Sequence, residues 1–224
     1  MDIYYVILVV PALIFAFWAQ AKVNGASRKY SRIPNSQHMS GADAARMILD
    51  ANGLYNVGIE HIAGDLTDHY DPKANVIRLS DTTCDKVSIT AIGVAAHEAG
   101  HAVQHAVGYG PIKLRMAILP VCSIGSNLAM PLFLLGLLFS YAPLMDAGII
   151  FFALAAFFQL VTLPVEFNAS SRALAALTQR GCFSRDELYG VKQVLSAAAL
   201  TYVAALAVAL ANLLRLIAIA NRRK

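Results

Sequence analysis

The feature that most constrains this chain is a set of four long apolar segments. Each approaches the length of about 20 residues that an α-helix needs to cross the hydrocarbon core of a bilayer. Charged residues make up only 14% of the 224-residue chain, whereas an average soluble domain has about 25%. We therefore expect a mainly α-helical membrane protein with about four transmembrane helices, at residues 3–19, 116–141, 147–165 and 194–220.

The flanks of these segments add two expectations. The first segment is preceded by Asp2 and not by a basic cluster, so we expect Ile3–Ala19 to remain in place as a membrane anchor and not to be cleaved as a signal peptide. The second and third segments are joined by a short link that contains Pro143. A link of this kind predicts a helical hairpin.

The basic residues predict how the helices are oriented. Cytoplasmic loops of membrane proteins are enriched in Lys and Arg, and the loop at 140–146 has neither. We expect a multi-pass protein of the inner (plasma) membrane, with its N-terminus outside and residues 21–114 and 166–193 in the cytoplasm. The C-terminal cluster of Arg222, Arg223 and Lys224 disagrees, because it would lie outside. The basic residues on the cytoplasmic side are Lys22, Arg28, Lys29, Arg32, Lys113, Arg115, Arg172, Arg180, Arg185 and Lys192.

The polar region between the first two apolar segments predicts a small α+β domain. Ser40-Gly41-Ala42-Asp43 has the pattern of a capping box that begins a helix. Strand patterns follow at 57–62 and 76–79, and a helical pattern at 88–106. The expected organisation is an N-terminal anchor (1–20), a cytoplasmic α+β domain (21–114), a transmembrane hairpin (115–165), a cytoplasmic segment (166–193) and a C-terminal transmembrane helix (194–224).

The helix expected at 88–106 contains His97-Glu98-Ala99-Gly100-His101, an H-E-x-x-H pattern. Side chains four residues apart share one face of an α-helix, so His97 and His101 can reach the same metal ion. Glu98 can reach a water molecule on that metal and act as general base. The pattern predicts a Zn²⁺ metallopeptidase site at the cytoplasmic membrane surface, with His97 and His101 as ligands and Glu98 as the catalytic residue.

A catalytic zinc ion takes three protein ligands, and the residues leave the source of the third open. His105 lies on the same helix face, but it is about 12 Å from His97 along the axis, which is too far for one ion. We expect His105 in the cleft or against a ligand. Glu166 directly follows the third apolar segment, where a carboxylate is costly without a partner. It could ligate the metal, or it could lie among lipid headgroups or beside Arg172.

Two stretches together carry a resemblance to a known family. Ala96–His105 and Leu163–Ser170 resemble the YugP-like bacterial membrane zinc metallopeptidases, and the resemblance covers nearly the whole chain. That family is similar to the HtpX and CAAX-prenyl membrane proteases, in which a later E-F-x-A-D motif supplies the third zinc ligand. The resemblance implies that Glu166 is this ligand and that Ser170 replaces the Asp of the relatives. The expected outer neighbours of the ligands or the cleft are Asn168, Ser170 and Arg172.

The predicted function is zinc-dependent hydrolysis of peptide bonds in membrane or membrane-associated proteins. A strand at 75–80 is expected to bind the substrate peptide by strand addition. One rival is a zinc-containing scaffold or adaptor without activity, although a purely structural site would not need Glu98. Another is a metal transporter, whose helices would carry more ionisable residues. The expected peptide-binding residues are Asn75, Val76, Ile77 and Arg78.

Other families and partners fit the sequence less well. The AAA-linked membrane proteases share H-E-A-G-H-A but need an ATPase domain, and this sequence has no Walker A pattern. Charged residues flank the motif helix, unlike the embedded helix of site-2-type proteases. No basic stripe with interleaved aromatics indicates nucleic-acid binding. Close helix packing at Gly125, Ser126 and Ala129 is compatible with a homo-oligomer or a membrane-protein partner.

Overall fold

A computed structural model describes residues 3–222 as a mainly helical protein with one small sheet. Four helices are long and apolar enough to cross a membrane, as the sequence predicts. Asp2, Arg223 and Lys224, which entered the topology argument, lie outside the described residues. The helices are α1 (Val10–Tyr30, after a π-helical turn at Tyr5–Val9), α2 (Gly41–Ala51), α3 (Ile89–Ala106), α4 (Gly110–Leu138), α5 (Ala142–Arg180) and α6 (Arg185–Asn221); the strands are β1 (Gly58–His61), β2 (His69–Asp71) and β3 (Val76–Leu79).

The long helices continue well beyond the apolar segments that reveal them. Helix α5 has 39 residues, so it is about 58 Å long, whereas a hydrocarbon core is about 30 Å thick. The helix ends at Arg180. The next residue, Gly181, has a positive φ of 67°, which suits the position after a helix C-terminus. The segment 166–193 is therefore the helical end of α5, a short link and the start of α6.

Contacts divide the chain into two compact units. One unit comprises residues 1–20, 113–164 and 200–224, and the other comprises 21–112 and 165–199. Within the second unit, α2, β3 and α3 pack with the C-terminal part of α5 and the first part of α6 around a common apolar core. Members of this core that are almost fully buried include Ile48, Leu49, Ile77, Leu79, Ile92 and Leu177.

In the first unit, glycines bring α4 and α5 into close contact. A Cβ at Gly136 would lie 2.5 Å from the Met145 nitrogen, and one at Gly148 would lie 2.7 Å from the Phe133 nitrogen. Gly125 faces Phe151 of α5, and Ala129 is fully buried. The sequence analysis considered Gly125, Ser126 and Ala129 as contacts for a partner helix. Gly125 and Ala129 instead pack within this chain, and Ser126 is exposed.

The polar region folds much as its sequence pattern predicts. Ser40 and Asp43 form the reciprocal capping box at the start of α2. The strand predicted at 57–62 is β1, and the strand predicted at 76–79 is β3. Ser88 caps α3, where its hydroxyl accepts a hydrogen bond from the Ala91 nitrogen.

The prediction that residues 75–78 bind a peptide by strand addition is wrong. The sheet order is β1-β3-β2, and β3 pairs in parallel with β1 and antiparallel with β2. Both edges of Val76, Ile77 and Arg78 are thus already hydrogen-bonded, and a peptide cannot add to them. Asn75 lies in the turn before β3 with a φ of 56°, and its side chain contacts the Tyr70 hydroxyl.

An ion pair ties the two antiparallel strands together. Arg78 of β3 donates to Asp71 of β2 at 2.8 Å and to Glu60 of β1 at 3.1 Å. Hydrogen bonds from Arg78 and from the backbone nitrogens of Ala74 and Lys73 lower the pKa of Asp71 to about 2. Arg78 therefore links all three strands of the sheet.

A glycine sets the distance between α3 and α5. A Cβ on Gly100 would lie 2.6 Å from the Ala169 carbonyl oxygen and 3.2 Å from its carbonyl carbon. Both atoms belong to the α5 backbone and cannot rotate away. Gly93 lies two turns earlier on α3. The nearest atom to a Cβ on Gly93 would be Val191 Cγ1 at 3.4 Å, and the Val191 Cα would follow at 3.8 Å, which are ordinary contacts.

We expect Gly100→Ala to destabilise the protein by about 1–3 kcal/mol, because the added methyl group overpacks the contact with α5. Gly93→Ala is the matched control and should leave stability unchanged or slightly higher, since alanine favours the helix. The midpoint of thermal unfolding in detergent, followed by circular dichroism, measures both. An unfolding midpoint for Gly100→Ala at or above that of Gly93→Ala would show that the contact is not tight.

Candidate metal centre

Helix α3 places both motif histidines on one face. The imidazoles of His97 and His101 are in edge-on contact, with ring centroids 4.7 Å apart. Neither ring is fully exposed: the side chains keep 15% and 12% of their accessible surface. The helix positions them four residues apart, as the H-E-x-x-H spacing requires.

Glu166 of α5 completes the cluster. Its side chain is 3% exposed, and its Oε2 lies 3.2 Å from His97 Nε2 and 3.5 Å from His101 Nε2. The three potential ligand atoms all lie within 4.8 Å of one another. Two ligands at 2.0–2.1 Å from a tetrahedral zinc ion are about 3.3 Å apart. Two imidazoles and one carboxylate at these distances fit the donor set and the geometry of zinc.

The electrostatics of the cluster also favour a cation. Burial by itself lowers the pKa of His101, but hydrogen bonding to Glu166 and the negative charges of Glu98 and Glu166 raise it overall. A buried carboxylate needs a positive partner, because removing a charge from water without one costs several kcal/mol. A divalent cation among these three groups meets that need.

The outer nitrogens of the two histidines have different partners. The Ser170 hydroxyl lies 3.1 Å from His97 Nδ1. Gln104 Oε1 lies 3.0 Å from His101 Nδ1, and Gln104 is fully buried. Ser170 is thus where the sequence analysis expects an outer neighbour, whereas Gln104 is absent from that expectation. Its position three residues after His101 on the same helix face is a signal that could have found it.

Asn168 and Arg172 are connected to His101 through hydrogen bonds of intervening side chains. Asn168 Oδ1 accepts hydrogen bonds from Gln104 at 3.0 Å and from Arg172 Nε at 2.8 Å. Arg172 is thus linked to His101 through Asn168 and Gln104.

The general-base candidate Glu98 is held by the neighbouring sheet. Its Oε2 accepts a hydrogen bond of 3.0 Å from the backbone nitrogen of Tyr70 in β2, and the residue is only 8% exposed. Tyr70 was not predicted from the sequence, because its backbone nitrogen is the donor and almost any residue type could supply that group. Burial, followed by the charge of Asp71, raises the pKa of the Tyr70 hydroxyl.

The structure places His105 outside the metal cluster. It is exposed on α3, and its ring centroid is 6.0 Å from that of Tyr70. Tyr70 therefore lies between His105 and the general-base candidate Glu98, and His105 is not part of the group of three ligand atoms.

Known proteins resemble the chain over almost its whole length. Residues 5–221 match the family described as "Putative neutral zinc metallopeptidase". The "Putative membrane protease YugP" of Bacillus subtilis (strain 168) is 51% identical over 215 residues, which are 96% of each chain. No solved structure matches the chain. The resemblance that the two motifs carry is confirmed by these matches.

We expect Glu166→Gln to lose most of its zinc, because the amide keeps the shape of the side chain but removes the charge that binds the ion. His105→Ala should retain about one zinc ion per chain, since it removes no ligand. Elemental analysis of the purified variants after dialysis measures the zinc content. Equal zinc content in the two variants would contradict the assignment of Glu166 as a ligand.

Proposed function

The chain belongs to the neutral zinc metallopeptidase family, and from this premise we propose that it is a membrane-bound endopeptidase that hydrolyses peptide bonds by means of zinc-activated water. The observation that carries the proposal is the spacing of His97, His101 and Glu166, which matches the ligand spacing of a tetrahedral zinc ion. Glu98 lies on the same helix and is the only residue of the motif left to act as base.

His97, His101 and Glu166 would hold the ion. Zinc supplies a Lewis acid that polarises a peptide carbonyl and lowers the pKa of a water molecule to about 7. Glu98 then accepts a proton from the attacking water and passes it to the nitrogen of the leaving amine. The hydrogen bond from Tyr70 to Oε2 fixes the orientation of Glu98 and leaves Oε1 available for this transfer.

The substrates we propose are membrane proteins or membrane-associated peptides. Support comes from the position of Glu166, which directly follows the apolar stretch of α5, a helix long and apolar enough to span a membrane. A ligand at this point of the helix lies close to the bilayer surface. Peptide segments near that surface would reach the site before segments far from it.

The side of the membrane that we propose for the site is the cytoplasm. The proposal rests on the basic residues that flank the spans, which cytoplasmic loops favour. Four spans put both chain ends on one side, and Arg222 lies over the Tyr4 ring at 4.7 Å. Arg215 likewise lies over the Tyr5 ring at 5.1 Å. These aromatic contacts offset part of the cost of basic residues at the outer end of α6.

The decisive experiment compares wild-type protein with Glu98→Gln in detergent with zinc, on an unfolded generic substrate such as labelled casein. The glutamine keeps an oxygen for the Tyr70 hydrogen bond but cannot accept the proton. We expect cleavage to fall by about 10²–10⁴-fold, while zinc content stays at the wild-type value.

Glu60→Gln, a change of the same type on the exposed strand β1, is the matched control and should cleave as the wild type does. Cleavage by Glu98→Gln at the wild-type rate would contradict the role of Glu98. Zinc binding without any cleavage by the wild type would favour a zinc-containing scaffold instead.

A further inference from the structure

Gln104 is a fully buried amide with every polar atom in contact. Its exposed fraction is 0%. Its Oε1 lies 3.0 Å from His101 Nδ1, and its Nε2 lies 2.8 Å from the Val165 carbonyl oxygen and 3.0 Å from Asn168 Oδ1. A buried amide with three short contacts has only one orientation that satisfies all of them.

That orientation follows from two groups whose hydrogen-bonding role cannot change. The Val165 carbonyl can only accept, so the Gln104 atom that faces it is the nitrogen. The Arg172 guanidinium can only donate, so the Asn168 atom 2.8 Å from its Nε is the oxygen. That same oxygen faces the Gln104 nitrogen. The contact with the Val165 carbonyl and the contacts through Asn168 to Arg172 thus require the same orientation of the Gln104 amide.

The orientation of Gln104 fixes the proton on His101. Both hydrogens of the Gln104 amide nitrogen are taken by Val165 and Asn168, and the remaining atom, Oε1, can only accept. The 3.0 Å contact is therefore a hydrogen bond donated by His101 Nδ1. An imidazole that binds a metal is neutral and carries one proton. With that proton on Nδ1, the lone pair of Nε2 lies on the side of the Glu166 carboxylate, where the ion would be held.

We propose that Gln104 is a positioning residue that holds His101 in the tautomer able to ligate the metal through Nε2. Asn168 and Arg172 set the orientation of Gln104 together with the Val165 carbonyl. This inference rests on the proposed metal site, in which His101 is a ligand.

The other histidine has no such constraint. His97 Nδ1 contacts the Ser170 hydroxyl at 3.1 Å, and a hydroxyl can either donate or accept. Ser170 therefore supports His97 in either tautomer, whereas Gln104 permits only one for His101. The two histidines of the motif thus differ in how the protein controls their tautomers. The contact with Gln104 determines the tautomer of His101, whereas the contact with Ser170 does not determine that of His97.

The first test measures zinc affinity by competition with a chelator, for the wild type, Gln104→Met and Gln37→Met. Methionine keeps the length of the side chain and removes the hydrogen bonds. We expect Gln104→Met to bind zinc about 10–100-fold more weakly, as changes in the partners of metal-binding histidines do. Gln37 is exposed, donates to the Cys182 carbonyl and is not part of the group of three ligand atoms, so Gln37→Met should bind as the wild type does.

One further variant separates the direction of the hydrogen bonds from packing. Gln104→Glu keeps the size of the side chain and an acceptor for His101, but it turns an acceptor oxygen toward the Val165 carbonyl oxygen and Asn168 Oδ1, so it should also weaken zinc binding. Unchanged affinity in Gln104→Met and Gln104→Glu would overturn the proposal.

The last test reads the tautomer in the wild type and needs no variant to fold. Nitrogen–proton correlation spectra of the zinc-loaded protein with ¹⁵N-labelled histidine should show His101 protonated at Nδ1 and coordinated through Nε2. A His101 coordinated through Nδ1 would overturn the role of Gln104 and leave the metal site standing. A wild-type chain without bound zinc would instead overturn the proposed function itself.

Discussion

The close approach of α3 and α5 is the constraint on which the rest of the candidate site depends. Gly100 has no side chain, so the α5 backbone at Ala169 can come within contact distance of α3 at this point. Glu166 lies three residues before Ala169, so the same approach brings its carboxylate to His97 and His101. A carboxylate this deeply buried is tolerated only beside groups that can carry positive charge. Helix packing and electrostatics thus select the same arrangement.

One short stretch of α5 supplies most of what surrounds the two histidines. Glu166, Asn168 and Ser170 each contribute a contact to the histidines or to Gln104, and they follow one another at every second residue. Glu166 and Ser170 are four residues apart and therefore share one face of α5, and both contact His97 of α3. Asn168 lies between them in sequence and contacts Gln104.

Much of the fold follows from local sequence patterns. The capping box at Ser40, the strand at Val76–Leu79 and the helix beginning at Ser88 are set by residues within a few positions of each other. The four membrane-spanning helices follow from the hydropathy of their segments. Helix length is harder to predict, because residues 166–180 of α5 mix polar and apolar types and do not form an apolar segment. Ala173 and Leu177 pack into the core of the second unit, and such tertiary contacts stabilise the helix there.

Sequence patterns failed where the answer depends on neighbours far apart in the chain. The position of β3 at the centre of the sheet is decided by pairing with β1 and β2, which no property of Val76–Leu79 reveals. Tyr70 acts through its backbone nitrogen, so its side-chain type carries no signal. Gln104 matters because of Val165 and Asn168, which are 61 and 64 residues away.

The separation of the ligands along the chain also has a consequence for synthesis. His97 and Glu166 are 69 residues apart, and the whole hairpin of α4 and the apolar part of α5 lies between them. At about 5–20 residues per second, a ribosome needs roughly 3–14 s to make that interval. During this time the nascent chain carries two of the three ligands and no complete site. A newly made molecule can therefore complete this group of three side chains only after its hairpin has been synthesised and α5 has reached Glu166.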